Sequence, residues 1–436
     1  MSVKSLPDWL EFLERLHPKG QGGIELGLER VARVKAELRQ RQACPVIIVG
    51  GTNGKGSTCA YLEAIYRAAG YRVGCYTSPH LLAYNERVRV DGAPAGDAEL
   101  CAAFTRVEAA RQAAGDVALT YFEFGTLAAW EVFAAEAAQV IVLEVGLGGR
   151  LDAVNVYEPD VAVVTGIALD HTDWLGPDRE SIGFEKAGIF RANQPAICAD
   201  AEPPSSLLAH ARAIGADLRL IGHDFSYERG EAIWAYRDRR GVNRNDLPLP
   251  ALTGDHQLTN ASAALAAIDT LQERLPVSLT AMREGVRTAR LVGRFQRVRE
   301  HPTVILDVAH NPQAVAMLAD TLDRTAGSGR TLAVVGMLAD KDIDGALKPM
   351  ASRVDLWLLA GLEGPRGAPA SVLAAVDAVQ QGRAECFTSP AEAFRRALGL
   401  ARENDRIVVF GSFYTVAAVL REIGQDRTSG VGQPSP

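Results

Sequence analysis

From about residue 46 onward, short apolar runs alternate with segments whose apolar residues recur at helical spacing. The run at 46–49 is typical of a buried strand, and a helix-like segment follows it until Gly70. Further apolar runs predict four more strands, at 72–76, 140–145, 161–167 and 196–199. Because strands alternate with helices and are mostly apolar throughout, the pattern predicts an α/β fold with a mainly parallel sheet covered on both faces.

The pattern changes between about 218 and 250, where polar and aromatic residues alternate around turn signals. This stretch predicts an antiparallel meander added to the sheet, and Thr259 is a candidate cap for the helix that follows. From Val304 the strand–helix rhythm restarts, which predicts a second, smaller α/β domain. The predicted division is a first domain at 1–297, a second at 298–424, and a flexible tail at 425–436.

Composition narrows the function classes. The 436 residues carry 46 Lys and Arg against 53 Asp and Glu, a net charge of −7 without basic blocks, so neither a nucleic-acid partner nor a membrane is expected. The six cysteines are scattered without a C-x-x-C pair, which predicts free thiols in a reducing compartment. Pro7 and Asp8 interrupt the region where a signal peptide needs its apolar core, so we expect a cytoplasmic protein with a small-molecule substrate.

The strongest local signal is the glycine-rich segment 50–58, which lies between the first strand and its helix. Glycines there allow backbone N–H groups to surround phosphate oxygens, and Lys55 can reach the β- and γ-phosphates. The strict G-x-x-x-x-G-K-[ST] pattern fails, because Val49 replaces its first glycine and Gly56 its final hydroxyl residue. The segment therefore predicts a phosphate loop, with an ordinary glycine-rich turn as the alternative.

Glu144 ends an apolar strand and precedes the glycine-rich residues 146–149. A carboxylate at the carboxyl end of a central strand lies where α/β sheets bind ligands, and beside a phosphate loop it would hold Mg²⁺. The competing interpretation is a dinucleotide-binding G-x-G-x-x-G motif. Leu151 occupies the position of its third glycine, which disfavours an oxidoreductase.

Three further places in the sequence carry side chains that are able to do chemistry, and each also has an ordinary structural explanation. His171 follows another long apolar strand and is either a metal or phosphate contact or a structural histidine. Lys186 is undecided between a site residue and a solvated helix residue. Asp307, His310 and Asn311 follow the strand that opens the second domain and could position a ligand or a proton, although Asp and Asn also cap helices.

Taken together, these residues resemble the Mur ligase superfamily, and within it the bifunctional dihydrofolate synthase/folylpolyglutamate synthases. The resemblance covers nearly the whole chain, from Leu26 to Phe413. Its specific motifs are at 51–57 (GTNGKGS), 77–80 (TSPH), 121–123 (YFE), 144–152 (EVGLGGRLD), 170–172 (DHT), 185–188 (EKAG) and 307–312 (DVAHNP).

The resemblance implies an N-terminal P-loop ATPase domain of the Mur-ligase type and a C-terminal Rossmann-like glutamate-ligase domain. It implies that ATP phosphorylates a substrate carboxylate and that the amine of L-glutamate then attacks the acyl phosphate. Dihydropteroate would yield dihydrofolate, and tetrahydrofolate and its polyglutamates would be extended by further glutamates. It also implies a monomer that uses two Mg²⁺ ions and a carbamylated lysine, and it leaves room for a monovalent cation.

The resemblance also assigns roles to individual residues. Ser78 and Glu144 would bind one Mg²⁺, and His171 and carbamylated Lys186 would lie near the second. The implied ATP contacts are Gly54, Lys55, Gly56, Ser57, Asn260, Arg294 and Asp307. The implied pterin-substrate contacts are Leu26, Gly27, Thr120, Tyr121, Phe122, Glu123, Leu151, Asp152 and Ala153. His310 and Ser412 would bind glutamate, and the implied catalytic residues are Lys55, Lys186, Asp307 and His310.

One departure from the family pattern is Val154, which replaces a common threonine near the pterin segment. Two rival functions are a ligase acting on a UDP-linked cell-wall peptide and a nucleotide-dependent switch without catalysis. Cell-wall ligases usually carry a further N-terminal domain, whereas about 45 residues precede the phosphate loop here. Because the implied site residues fall in both predicted domains, we expect catalysis to require domain closure.

Overall fold

The computed structural model describes residues 4–18, 23–325 and 329–429. The chain divides into two compact units. Unit 1 comprises residues 1–251 and 257–290, and unit 2 comprises residues 252–256 and 291–436. The α/β class and the two-domain organisation predicted from the sequence are confirmed.

Unit 1 is built on an eight-stranded sheet with the order β4-β3-β2-β5-β1-β6-β7-β8 within the described residues. The strands are β1 (Val46–Gly50), β2 (Val73–Tyr76), β3 (Val88–Val90), β4 (Ala93–Pro94), β5 (Val140–Glu144), β6 (Val161–Val164), β7 (Pro195–Cys198) and β8 (Asp217–Leu220). Neighbours pair in parallel except β3 and β4, which add antiparallel at one edge. The central strands β1, β2, β5 and β6 are buried along their whole length, as their apolar sequences require.

Helices precede, connect and follow these strands. They are α1 (Leu6–Leu16), α2 (Glu29–Leu38), α3 (Lys55–Ala68), α4 (Asp97–Ala113), α5 (Tyr121–Ala135), α6 (Thr172–Leu175), α7 (Arg179–Ala187), α8 (Ser205–Ile214), α9 (His256–Thr270) and α10 (Leu279–Thr288). Short 3₁₀ turns span Tyr84–Arg87 and Ala153–Val156. Trp9 of α1 packs on Phe104 and Phe124, at ring-centroid distances of 5.8 and 6.4 Å, so the N-terminal helices belong to the unit 1 core.

The predicted meander exists, but its attachment was wrong. Strands β9 (Phe225–Arg229), β10 (Ile233–Asp238) and β11 (Asn243–Pro248) form a separate three-stranded antiparallel sheet. Only the preceding strand, β8, joins the main sheet, in parallel. Thr259 is likewise not a helix cap, because α9 begins three residues earlier and the Thr259 hydroxyl lies 3.1 Å from the Tyr227 hydroxyl.

Unit 2 holds a six-stranded sheet in the order β12-β13-β17-β14-β15-β16 within its described residues. The strands are β12 (Gln296–Glu300), β13 (Thr303–Leu306), β14 (Thr331–Val335), β15 (Leu356–Ala360), β16 (Ala384–Phe387) and β17 (Arg406–Phe410), and all but β12 run parallel. The helices are α11 (Pro312–Arg324), α12 (Ile343–Leu347), α13 (Ala370–Ala374), α14 (Asp377–Gln380), α15 (Pro390–Leu400) and α16 (Phe413–Ser429), with a 3₁₀ turn at Lys348–Met350.

Two predicted boundaries differ from the structure. The main segment of unit 2 begins at Leu291 rather than at 298, because β12, whose residues are mostly polar, pairs with β13 at the edge of the second sheet. The predicted tail at 425–436 is helical in its first part, since α16 continues to Ser429. Residues 430–436 lie outside the described residues. The described helices include none with the length and apolar character needed to span a bilayer, and all six cysteines are free thiols.

Candidate functional site

The glycine-rich loop between β1 and α3 has the strand–loop–helix geometry predicted for a phosphate loop. Gly51 has a φ of +138°, and a Cβ there would lie 1.9 Å from the Thr165 hydroxyl. Gly54, with a φ of +94°, precedes the first residue of α3. Gly56 and Ser57 form the buried first turn of that helix, whose N–H groups carry the positive end of the helix dipole. The loop backbone is therefore held in a shape that side chains would block.

Two lysines meet at one backbone carbonyl of this loop. Lys55 Nζ donates to the carbonyl oxygens of Gly51 and Thr52, both at 3.1 Å. Lys186 Nζ, at the end of α7, donates to the same Gly51 oxygen at 2.9 Å. Lys186 is only 3% exposed, so the interpretation of a solvated helix residue is wrong.

Burial, and after it the nearby positive charge of Lys55, lowers the pKa of Lys186 to about 7, although Asp170 and Asp152 oppose the shift. Lys186 forms no ion pair with a carboxylate within the described part of the chain. Its amine therefore titrates near neutral pH, so a large share of it is uncharged at pH 7 to 8.

Glu144 lies beside the phosphate loop because of the sheet register. Strands β1 and β5 pair in parallel with Glu144 opposite Val49, directly before the glycines. Strand β2 is the other neighbour of β5, and Ser78 follows it by two residues. The Ser78 N–H donates to Glu144 Oε2 at 3.0 Å, so the structure brings these two predicted metal ligands together.

His171 lies in the segment that follows β6, and it adopts a left-handed conformation with a φ of +54° immediately before α6. This segment is tied to the phosphate loop through Thr52. The Thr52 hydroxyl donates to the Ala168 carbonyl and accepts from the Ala168 N–H, both at 3.1 Å. The Thr52 N–H also donates to Gly166 O at 2.7 Å, so hydrogen bonds join the phosphate loop to the segment before His171.

The described residues contain no group of three His, Cys, Asp or Glu side chains arranged to hold a metal. The Ser78 hydroxyl and the buried Glu144 carboxylate nevertheless offer hard oxygen donors next to a phosphate loop. Mg²⁺ is commonly held by one or two carboxylates and by substrate phosphates rather than by an all-protein cage. The donor set therefore fits a magnesium ion that binds together with a nucleotide.

The three predicted pterin segments lie next to one another. The Gly27 N–H donates to the Leu151 carbonyl at 3.2 Å, which joins residues 26–27 to 151–153. The Phe122 ring lies against Gly146, where a Cβ would approach it to 2.7 Å, so residues 120–123 face the same glycine-rich segment. The structure thus brings Leu26, Gly27, Thr120, Tyr121, Phe122, Glu123, Leu151, Asp152 and Ala153 into one region.

Some of these residues have structural partners already. Thr120 and Glu123 form a capping box at the start of α5, with the Thr120 N–H donating to Glu123 Oε2 at 2.7 Å. Arg30 Nη2 donates to the same carboxylate at 3.0 Å. Asp152 accepts from the Leu147 and Val154 N–H groups at 2.8 and 3.1 Å. Burial raises the pKa of Asp152 to about 7, and these bonds oppose the rise.

Asn260 is a buried α9 residue whose side chain lies against the phosphate loop. A Cβ added to Gly54 would lie 2.4 Å from Asn260 Oδ1. Asn260 Nδ2 donates to Gln257 Oε1 at 3.1 Å, which holds the amide in place. The structure thus places this predicted ATP contact at the start of α3.

The predicted site residues of unit 2 form a set of their own at the carboxyl ends of β13 and β17. The Asp307 carboxylate accepts from the Phe295 and Ala309 N–H groups, both at 2.8 Å, and burial raises its pKa. His310 and Arg294 both lie near the Phe413 ring, at 6.3 and 5.4 Å from its centroid.

Hydrogen bonds show which of the two candidate residues, Asp307 or Asn311, caps a helix in unit 2. The Asn311 side chain caps α11 by accepting from the Ala314 N–H at 2.9 Å, whereas Asp307 does not cap that helix. Ser412 Oγ accepts from the Thr415 N–H at 3.0 Å in the first turn of α16.

Sequence reasoning missed residues that hold the site rather than face a ligand. Thr165 Oγ1 donates to Asn53 O at 2.6 Å, and Thr52 and Arg30 make the bonds described above. Thr165 directly follows the apolar strand β6, whose last residue, Val164, pairs with Gly50. Its place at the end of that strand is the sequence feature that could have identified it. Arg30 bonds Glu25 nearby, but its partner in the site, Glu123, lies 93 residues away in sequence, so no local pattern indicates that contact.

Comparisons with known proteins agree with this geometry. Residues 49–268 match the Mur ligase middle domain, and residues 293–413 match the Mur ligase glutamate ligase domain. The dihydrofolate synthase/folylpolyglutamate synthase of Escherichia coli is 49% identical over 98% of both chains. A structure of Escherichia coli FolC with DHPP and ADP is 48% identical and has a TM-score of 0.91, covering 98% of this chain and 99% of that chain.

A further solved structure is a bifunctional folylpolyglutamate synthase/dihydrofolate synthase with Mn, AMPPNP and L-glutamate bound. It is 45% identical to this chain, with a TM-score of 0.88, and the match covers 97% of this chain and 98% of that chain.

The close approach of Gly54 to Asn260 allows the phosphate-loop assignment to be tested. We expect Gly54→Ala to weaken binding of Mg²⁺–ADP by roughly tenfold or more, because its Cβ collides with Asn260 and shifts the loop. Titration calorimetry measures this. Gly222→Ala is the matched control, since Gly222 also has a positive φ, +77°, but a Cβ there meets nothing within 4 Å. Equal nucleotide affinity in both variants would contradict the assignment.

Proposed function

The chain belongs to the bifunctional dihydrofolate synthase/folylpolyglutamate synthase family of Mur ligases, and from this premise we propose its reaction. The enzyme joins L-glutamate to dihydropteroate, giving dihydrofolate, and adds further glutamates to tetrahydrofolate and its polyglutamates. Each cycle converts one ATP to ADP and phosphate. We further propose that the enzyme acts as a monomer.

The chemistry follows from the poor reactivity of a carboxylate, whose leaving group in amide formation would be oxide. Transfer of the γ-phosphoryl group of ATP to a carboxylate oxygen gives an acyl phosphate. The uncharged amine of glutamate attacks the acyl carbon, the C–O bond to phosphate breaks, and the amine proton passes to a base. Positioning and charge stabilisation supply most of the catalysis in such phosphoryl transfers.

The observation that carries this function is the position of Glu144 opposite Val49 in the sheet register. It places a buried carboxylate next to a phosphate loop, where a magnesium ion would join protein oxygens to nucleotide phosphates. We propose Ser78 and Glu144 for one ion, and His171 and Lys186 for the surroundings of a second. The bound metal would neutralise charge on the phosphate oxygens.

Lys55 and the first turn of α3 bind the phosphates in this proposal. The Lys55 ammonium is directed to the two loop carbonyls of Gly51 and Thr52, within reach of any anion bound in the loop. The N–H groups of Gly56 and Ser57 add the field of the helix N-terminus. Asn260 from unit 1, and Arg294 and Asp307 from unit 2, are proposed as further ATP contacts.

The pterin substrate is proposed to bind at the joined segments 26–27, 120–123 and 151–153. The Phe122 ring offers an apolar face there, and Asp152 offers a buried carboxyl group whose N–H partners fix its orientation. Val154 is fully buried in the apolar core beside this region.

Glutamate is proposed to bind at His310 and Ser412 in unit 2. His310 Nδ1 lies 2.8 Å from the Val308 carbonyl oxygen. Because a carbonyl can only accept, Nδ1 carries the proton in this contact and Nε2 is the basic nitrogen. We assign to Nε2 the removal of a proton from the glutamate ammonium group.

Lys186 is proposed to work as a carbamate. Its buried Nζ contacts the phosphate loop at Gly51 O, close to the Lys55 charge, where a second ammonium is unfavourable. The uncharged amine can attack CO₂, and the N–C bond that forms replaces a cation with a carboxylate-like anion after loss of one proton. That group would be an oxygen ligand for the second metal, and a monovalent cation could add to the same charge balance.

Replacing Lys55 tests the proposed reaction. We expect Lys55→Ala to lower turnover with both pterin substrates by roughly 10²-fold or more, because it removes a charge that stabilises phosphoryl transfer. Chromatography of amide product and ADP measures both activities. Lys348→Ala, which changes an exposed lysine of unit 2, should retain full activity. A folded Lys55→Ala enzyme with near wild-type turnover would refute the loop assignment.

Replacing Lys186 tests the carbamate. Wild-type protein equilibrated with ¹³CO₂ should show a lysine carbamate in its ¹³C NMR spectrum. The signal should grow as the pH rises through about 7, since only the uncharged amine reacts. Lys186→Arg and Lys186→Ala should lose both this signal and activity, with partial rescue of Lys186→Ala by a small carboxylate. Lys35→Arg, which alters another lysine bonded to a carbonyl, should keep the signal. Full activity of Lys186→Arg would exclude the carbamate.

A further inference from the structure

Arg89, in the middle of β3, makes a dense set of contacts beside the metal ligands. Its Nη1 donates to Thr77 Oγ1 at 2.9 Å and to Glu86 O at 3.0 Å. Its Nη2 donates to Glu63 Oε2 at 3.0 Å and to Cys75 Sγ at 3.2 Å, and its Nε donates to the same Glu63 oxygen at 3.1 Å. All five N–H donors of the guanidinium are thus engaged by four residues.

These contacts join two elements of the site. Glu63 belongs to α3, the helix that starts at the phosphate loop, and its side chain is 8% exposed. Thr77 directly precedes Ser78, whose N–H donates to Glu144. Strand pairing places Arg89 opposite Cys75 at the end of β2, so one side chain bridges the phosphate-loop helix and the Ser78 segment.

The segment after Ser78 depends on the same region. The Thr77 N–H donates to Arg87 O at 2.9 Å, which closes residues 77–87 into a loop. The Glu86 carboxylate accepts from three successive N–H groups, at residues 81 to 83, and so fixes the far side of that loop. Arg89 binds the Glu86 carbonyl at the base of the loop.

We propose that Arg89 is a positioning residue for divalent-metal binding, an inference that rests on the metal role given to Ser78 and Glu144 above. It holds Ser78 and Glu144 at a fixed place relative to the phosphate loop through Thr77 on one side and Glu63 on the other. A lysine cannot replace it, because three N–H donors on a flexible chain cannot reach this set of acceptors together. Residues that orient metal ligands typically change metal affinity by roughly 10- to 100-fold when removed.

The test measures metal binding directly. Thr77 is substituted as well as Arg89, because a Thr77 variant leaves the Arg89–Glu63 ion pair intact. Electron paramagnetic resonance of free Mn²⁺ gives the Mn²⁺ dissociation constant of the full-length protein with saturating ADP. We expect Thr77→Val to raise it by about tenfold and Arg89→Lys by at least as much. Thr77→Ser, which keeps the hydroxyl, should stay near the wild-type value. ADP affinity without metal should be unchanged in Thr77→Val.

Thr321→Val is the matched control, because it removes a buried hydroxyl bonded to its own helix, at Met317 O, in unit 2. A purely structural role for Arg89 would lower thermal stability in Arg89→Lys and leave Mn²⁺ affinity unchanged in folded Thr77→Val, and that result overturns the proposal. Wild-type protein that binds ADP but no Mn²⁺ would instead overturn the metal assignment of the proposed function, and this inference with it.

Discussion

Two lysine side chains share the carbonyl oxygen of Gly51, and the rest of the site is arranged around that contact. Lys55 Nζ and Lys186 Nζ lie 3.1 and 2.9 Å from this oxygen, in a loop whose residues are buried or partly buried. Burial is the main cause of the lowered pKa of Lys186, and repulsion from the nearby Lys55 charge lowers it as well. An anion that binds here relieves the repulsion. The phosphates proposed to bind here would supply such an anion, and carbamylation of Lys186 would lower the repulsion further.

The fold supplies what such a site requires. Because β1 lies between β5 and β6 in a parallel sheet, Glu144 and Thr165 are brought to the two sides of one glycine-rich loop. Thr165 packs against Gly51, and this close approach explains why a side chain is excluded there. Unit 2 repeats the principle at the ends of β13 and β17, where His310 and Ser412 lie. Both units place polar residues where parallel strands end.

The sequence predicted those parts of the architecture that depend on patterns of neighbouring residues. A buried apolar run followed by glycines and a helical pattern predicted the strand, loop and helix around residues 50–58, and Asn311 was one of two candidate caps for α11. Strand β12 was missed because an edge strand of mostly polar residues carries no apolar signal. The Arg89–Glu63 pair was missed because its partners are 26 residues apart and meet only through tertiary packing. Local patterns thus indicated the candidate ligand contacts, but they did not indicate the residues that hold those candidates in place.

In the proposed reaction, the site prepares a carboxylate for amide formation by phosphorylating it. Dihydropteroate labelled with ¹⁸O at both carboxylate oxygens tests this directly, with mass spectrometry of the phosphate and dihydrofolate formed in one turnover. The bridging oxygen of an acyl phosphate leaves with phosphate, so we predict one ¹⁸O in each phosphate and one in the new amide. Phosphate without ¹⁸O, formed along with the amide, would contradict the account, because the carboxylate would then never have been phosphorylated.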